Sequence, residues 1–249
     1  PAAPAPDETR SVLAIPAFRR LWQAMAFGSL GDWLGLLATT ALAQQLSGGD
    51  YATANFAIAG VFIARLLPAV FLGPLAGVIA DRFDRRKLMV AADVIRFALY
   101  ISIPIVSNYF WLYTATILVE CVSLFWSPAK DATVPNLVPK EKLESANQVS
   151  LFAAYGTAPI AAGLFAILAL FSSAIASAFP SFKGTSIDIA LYINALSFAF
   201  SAWTIFHLRE IPKRNQAGKK ADSSVGKSLI EGYQAVSSSK IIRGLIVGM

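Results

Sequence analysis

Long apolar runs broken by one or two charges alternate with short polar links along this chain. The first runs from about Leu21 to Leu46 and carries Asp32 alone. The second, about Tyr51 to Ala80, carries Arg65; the third, Leu88 to Val106, carries Asp93 and Arg96; the fourth, Tyr109 to Ala129, carries Glu120. A fifth lies inside the uncharged stretch from Ser145 to Phe182, and a sixth spans about Ile189 to His207. A helix rises 1.5 Å per residue, so roughly 20 apolar residues cross the hydrocarbon core of a bilayer. The pattern therefore predicts an all-α membrane protein with six transmembrane helices. Pro68 and Pro74 are placed to bend the second, and Pro159 to bend the overlong fifth.

The polar ends frame this bundle. Residues 1–17 are Pro/Ala-rich and polar and read as a disordered cytoplasmic tail without a secretory signal. Residues 18–208 form the six-helix bundle. Residues 209–239 form a basic linker with a short amphipathic helix near 229–236. Residues 240–249 turn apolar again, as the start of a seventh span, so the chain reads as a fragment.

Charge refines the picture. Of the 249 residues 56% are hydrophobic and only 14% charged, against about a quarter charged in soluble domains. The net charge of +6 sits in loops. Arg10, Arg19 and Arg20 precede the first span; Arg82, Arg85, Arg86 and Lys87 follow the second; Lys130, Lys140 and Lys142 follow the fourth; six more lie between 209 and 227. The opposite connections hold only Lys183. That asymmetry predicts both termini in the cytoplasm, contacts to anionic lipid, and no nucleic-acid partner. A lone Cys121 forms no intrachain disulfide, and the single His207 excludes a multi-histidine metal site; no metal or cofactor is expected. Val225-Gly-Lys-Ser228 is not a phosphate-binding loop, because position 221 is Ala and no strand precedes it.

The link Gly77-Val-Ile-Ala-Asp81-Arg82-Phe-Asp84-Arg85-Arg86-Lys87 carries a resemblance. It is similar to the loop between spans two and three of the major facilitator superfamily, G-x-x-x-D-R-x-G-R-R. Gly77, Asp81, Arg82, Arg85 and Arg86 match; Asp84 stands where the second glycine is usual. Residues 128–147 resemble the enterobactin-exporter-like branch. Tyr155-Gly-Thr-Ala-Pro159-Ile-Ala-Ala-Gly163 partly resembles the antiporter pattern G-P-x-x-G-G, with Ala158 and Ala162 in place of two glycines. The stretch Gly31 to Ala41 resembles actinobacterial chains in which such a membrane region precedes a thymidylate kinase domain. The resemblance implies the amino-terminal half of a twelve-span fold built from inverted three-helix repeats. It also implies a conformational latch in the 77–86 loop that works against a missing carboxy-terminal half. The implied setting is a multi-pass protein of the cell membrane.

A charge at mid-bilayer costs on the order of 3 kcal/mol, so each buried one needs a partner or a wet cavity. Counted from the helix ends, Asp32 and Arg65 share one depth and Arg96 and Glu120 another, which predicts those two pairings. Asp93 and Arg96, three apart, form a further network. Asp32 and Glu120 are the central acids of repeat-related spans and the expected proton-coupling residues, with Arg65 as counter-ion. Tyr109, Trp111 and Tyr113 read as interfacial anchors; Gly73, Gly77 and Gly163 as points of close helix approach. The expected function is proton-coupled export of a small, largely apolar molecule by alternating access, with no catalytic motif in the chain. Two alternatives stay open: the membrane region of a transporter–thymidylate kinase chain, and a non-transporting sensor or scaffold.

Overall fold

The computed structural model describes residues 12–80, 83–178 and 185–211. They are helical, without a strand among the described residues. The helices are α1 (Pro16–Leu46), α2 (Tyr51–Ala80), α3 (Arg85–Val106), α4 (Tyr109–Asp131), the single turn α5 (Val134–Leu137), α6 (Leu143–Tyr155), α7 (Ala158–Ala178) and α8 (Ser186–Phe206), with a 3₁₀ turn at Lys140–Lys142. The termini beyond these limits, with the amphipathic helix and seventh span expected there, lie outside the described residues. So do Asp81 and Arg82.

Among the described residues five stretches are long and apolar enough to cross a membrane: Tyr51–Gly73, Arg85–Val106, Tyr109–Leu137, Lys140–Phe171 and Ser186–Phe206. The first helix was expected as a sixth. At 31 residues it has the length, but Gln23, Ser29, Asp32, Thr39, Thr40, Gln44 and Gln45 dilute its apolar character. The reason is its place at the centre of the bundle. α1 packs on α2, α6, α7 and α8, so the polar side chains along its middle, Ser29, Asp32, Thr39 and Thr40, are buried or half-buried against protein and cleft. Order also begins earlier than residue 18. Val12 is fully buried against a cluster with Phe18, Ile205 and Leu208, and Pro16 opens α1.

The links are built from caps. Gly48 and Gly49 take positive φ (65° and 91°), and Asp50 then accepts the Thr53 amide at 2.7 Å to start α2. Hydrogen bonds from Thr53 hold the Asp50 carboxyl below the usual carboxylate range. At the superfamily-like loop, Asp84 sits at φ −65° and caps α3 by accepting the Lys87 amide at 3.0 Å. The turn is thus made by a carboxylate cap where a glycine is usual. Asp84→Ala is expected to cost about 1 kcal/mol of α3 stability and Asp84→Gly only a few tenths; amide exchange at residues 86–88 measures the difference. Asn108 caps α4, and Thr185 with Asp188 forms a capping box on α8. The overlong fifth run is divided at Gly156-Thr157, with Pro159 at the second position of α7, where its missing N–H leaves no bond broken.

Packing follows a repeat. The largest interfaces are α1–α8, α3–α8, α2–α4, α3–α4 and that of α1 with α6 and α7. Exchange of the first three spans for the last three carries α1–α8 onto α4–α3, and α2–α4 onto the α1 contact with span five; α3–α8 maps to itself. This is the relation that inverted repeats require. Close approach falls at Gly31 and Gly35, four apart on α1. A Cβ at Gly31 would overlap Ser197 and Asn194, and one at Gly35 would overlap Asn194 and stand 3.1 Å from the Tyr100 ring. Gly73, Gly77 and Gly163, expected in this role, have no described atom within 4 Å of such a Cβ. Gly163 faces outward on α7. Gly35→Leu is expected to lower stability by roughly 1–3 kcal/mol through overpacking, and Gly163→Leu to leave the melting temperature in detergent unchanged.

Candidate functional site

Two apolar clusters are stacked along the bundle. One holds Phe18, Met25, Met89, Val149 and Ile205; the other holds Leu34, Tyr100, Val119, Ala161 and Phe198. Asp32, Asp93, Arg96 and Ser201 come between them in the sequence of their helices, and Glu120 follows Val119 at the edge. The charged residues therefore form one polar layer inside the protein.

The pairing within that layer differs from the expectation. Arg65 Nε meets Glu120 Oε1 at 3.0 Å, so the counter-ion of Arg65 is Glu120 rather than Asp32. Arg96 Nη2 meets Asp93 Oδ1 at 2.5 Å, and its Nη1 reaches Asp32 Oδ2 only at 4.0 Å. The depth count failed because α2 is 30 residues, about 45 Å, and exceeds the bilayer. α4 has only 23 residues, so equal counts from the two helix ends do not mark equal depth, and Arg65 comes level with Glu120. The helices that pack closely also decide partners: α2 lies along α4 much more than along α1.

Arg96 is held by two aromatic rings and Asp93, with its Nε left without a hydrogen-bond partner among the described residues. Its guanidinium lies 4.4 Å from the Phe198 ring centroid and 5.4 Å from that of Trp126. Asp93, completely buried, also accepts from Ser201 Oγ at 2.6 Å and Trp126 Nε1 at 3.3 Å. One carboxylate thus gathers donors from α3, α4 and α8. Asp32 is different. Its side chain is 37% exposed, and among the described residues no hydrogen bond reaches it.

Asp32 opens on two adjoining hollows. One, of about 340 Å³, is lined by Ser29, Trp33, Phe62, Arg65, Glu120 and Ala154 among others. The second, of about 220 Å³, lies against Arg96, Asp93, Trp126, Ser127, Lys130 and Ser201. Asp32, Ser29, Ser123 and Ala154 line both. Trp33 is fixed there by donation from its indole to the Ala154 carbonyl at 2.8 Å, at the end of α6. The layer thus brings together Asp32, Arg65, Glu120, Asp93 and Arg96, all singled out by charge. The sequence reading passed over Ser29, Trp33, Phe62, Trp126, Phe198 and Ser201, whose uncharged side chains are unremarkable in apolar runs. The spacing Gly31-x-x-x-Gly35 was the one available signal for the α1–α8 contact that orders this layer.

The loop motif is described in part. Arg85 Nη1 donates to the Ala132 carbonyl at 2.8 Å, a cation at the carboxy end of α4. Arg86 lies 5.9 Å from the Phe206 ring centroid at the end of α8. These arginines tie α3 to two other helix ends, on the face where Arg20 meets Glu210 at 3.6 Å. At the other end, the Tyr109 and Tyr113 hydroxyls donate to the carbonyls of Ala43 and Ala57. They fasten helices there, a role beyond interfacial anchoring.

Comparison with known proteins agrees with this architecture. The chain is 30% identical over 194 residues to the uncharacterized MFS-type transporter YfiS of Bacillus subtilis, covering 76% of this chain and 41% of that protein. Macrolide efflux protein A of Enterococcus faecalis is 27% identical over 186 residues, 73% of this chain and 53% of the relative. BacE of Bacillus subtilis, a candidate bacilysin exporter, is 27% identical over 226 residues, 87% of this chain and 50% of the relative. The chain spans about half the length of these relatives. The family described as transmembrane secretion effector matches residues 8–193; all-helical in its described residues and with repeat-related packing, this chain belongs to that family of major facilitator superfamily transporters, as a multi-pass membrane protein.

Proposed function

We propose that this chain is the amino-terminal half of a secondary active exporter that moves a small molecule out of the cell by alternating access, coupled to protons. The observation that carries the reading is the charged cleft at mid-bundle, where Asp32 opens on both hollows without a close counter-ion. Such a carboxylate takes up a proton at the loss of one long contact, to Arg96 at 4.0 Å, and no hydrogen bond. Arg65–Glu120 and Arg96–Asp93 are closed pairs and give up a charge only by parting. The names of the efflux relatives support export as the direction. The basic faces after spans two, four and six support a cytoplasmic side and a cell-membrane location. There the 77–86 loop latches against the second half, and anionic lipid contacts the basic links. The enterobactin-exporter-like branch and a following thymidylate kinase domain rest on sequence resemblance alone; a phosphate-binding loop after a twelfth span in the reading frame would favour the kinase-fused form.

The test is accumulation of cargo in inverted vesicles that hold the full-length protein, with the proton gradient imposed or collapsed. Uptake is expected to rise with the gradient and to vanish when residues 1–249 are expressed alone, since half of the cleft wall is then missing. Gradient-indifferent uptake, or accumulation by residues 1–249 alone, would refute the reading.

A further inference from the structure

Asn194, near the middle of α8, is completely buried, yet its amide oxygen and nitrogen have no hydrogen-bond partner among the described residues. The amide lies in the notch of α1. A Cβ at Gly31 would stand 2.5 Å from Asn194 Oδ1, and one at Gly35 would stand 2.2 Å from its Nδ2. Both ends of the amide are therefore pressed on the α1 backbone without bonding to it. Neighbouring polar groups are engaged elsewhere. Ser197 Oγ donates to the Asn194 backbone carbonyl at 2.7 Å, and the Gly35 carbonyl accepts the Thr39 hydroxyl at 2.7 Å. A buried amide left unpaired is destabilising, whereas an apolar side chain of the same shape would fill the notch without that penalty. This position of α1 on α8 is thus held against a local cost.

A partner for the amide stands close by. Tyr100, on α3, is buried with its ring stacked on Phe198 at 5.6 Å, and its ring edge is 3.1 Å from the Cβ position of Gly35. Its hydroxyl neighbours both Asn194 and Arg65, the partner of Glu120, but does not close on the amide here. Gly31 and Gly35 offer no side chain to block a movement of α1 along α8. Packed helix seams move between discrete positions about 1–2 Å apart, enough to make or break one hydrogen bond.

We propose that the α1–α8 seam has two positions and that Asn194 is the positioning residue that sets their balance: unpaired in the position described, bonded to the Tyr100 hydroxyl in the other. The unpaired amide raises the free energy of the first position toward that of the second, so neither is locked. Tyr100 carries the change to the charged layer, because the hydroxyl that turns to Asn194 turns away from Arg65. The inference rests on the alternating-access reading for its place in a transport cycle. The two positions themselves require no cargo.

The test uses purified full-length protein in neutral detergent. Asn194→Leu keeps the shape of the side chain and removes the amide. It is expected to raise the melting temperature by about 2 °C or more, the reverse of what loss of a structural contact does. The seam itself is read by fluorine NMR. Phe27 of α1 is 46% exposed and lies 4.6 Å from Phe200 of α8, centroid to centroid. A trifluoromethyl-labelled cysteine at position 27, in an otherwise cysteine-free background, therefore senses the Phe200 ring as the helices shift. Exchange between two resonances is expected with Asn194 and Tyr100 intact, and one sharp resonance in Asn194→Leu and in Tyr100→Phe. A melting temperature unchanged or lowered in Asn194→Leu, failure of that variant to fold, one sharp resonance with both residues intact, or exchange that persists in Tyr100→Phe would each overturn the proposal. Exchange that depends on both residues, in a protein that moves no cargo, would remove the export reading and leave this assignment standing. Gradient-driven export with a single sharp resonance would do the reverse.

Discussion

Arg96→Leu in the full-length protein is expected to lower stability by about 3–5 kcal/mol, the usual loss when one member of a buried ion pair is removed. Asp93 is completely buried and Arg96 nearly so. Without the guanidinium, Asp93 keeps only Ser201 and Trp126 as donors, and a full negative charge remains in the protein interior. The double variant Arg96→Leu/Asp93→Leu removes both charges. It is expected to recover most of the loss, because well-packed apolar residues replace a buried pair at little net cost. Arg96→Lys is expected to recover little: an ammonium cannot lie flat between Phe198 and Trp126 while also reaching Asp93. Melting temperatures in one detergent, read as a double-mutant cycle, measure the coupling. Additive losses would show that Arg96 and Asp93 do not act as a pair.

Hydropathy made the helical spans legible, and the isolated charges in them marked the polar layer, because both features are properties of single segments. Pairing is a property of two segments. The reading matched Asp32 with Arg65 and Arg96 with Glu120 by counting residues from the helix ends, which assumes that spans are equal in length and level. α2 is longer than α4, and the pairs come out as Arg65–Glu120 and Arg96–Asp93. The glycines show the same limit. Gly73, Gly77 and Gly163 looked like points of close approach, yet the neighbours lie at Gly31 and Gly35, since a missing side chain matters only where another helix arrives. The reduced apolarity of α1 was itself informative. A helix with Ser29, Asp32, Thr39 and Thr40 along its middle is shielded from lipid by its neighbours, and α1 proves to be the centre of the bundle. Asp84 was legible as a departure from the loop pattern. Its use as the cap of α3 required the backbone geometry.

The exchange of partners sharpens the assignment of coupling. Had Asp32 been closed onto Arg65, protonation would have required that pair to part. On the proposed proton-coupled reading, with Arg65 held by Glu120 and the nearest Arg96 nitrogen at 4.0 Å, Asp32 is the carboxylate that takes and gives up the proton as the cleft faces each side. Asp32→Asn keeps the shape and removes the titration. In inverted vesicles with saturating cargo, the stimulation of transport by an imposed proton gradient is expected to disappear in this variant, whatever rate of exchange remains. Glu120→Gln leaves Arg65 without its partner, so its expected effect is of another kind: reduced stability and expression, with gradient stimulation retained in the protein that folds. Arg65→Gln combined with Glu120→Gln should restore the expression. The two carboxylates lie on repeat-related spans, α1 and α4, and their different partners predict different losses. Gradient stimulation unchanged in Asp32→Asn but abolished in Glu120→Gln would transfer the proton to Glu120 and make the Arg65–Glu120 pair the moving part.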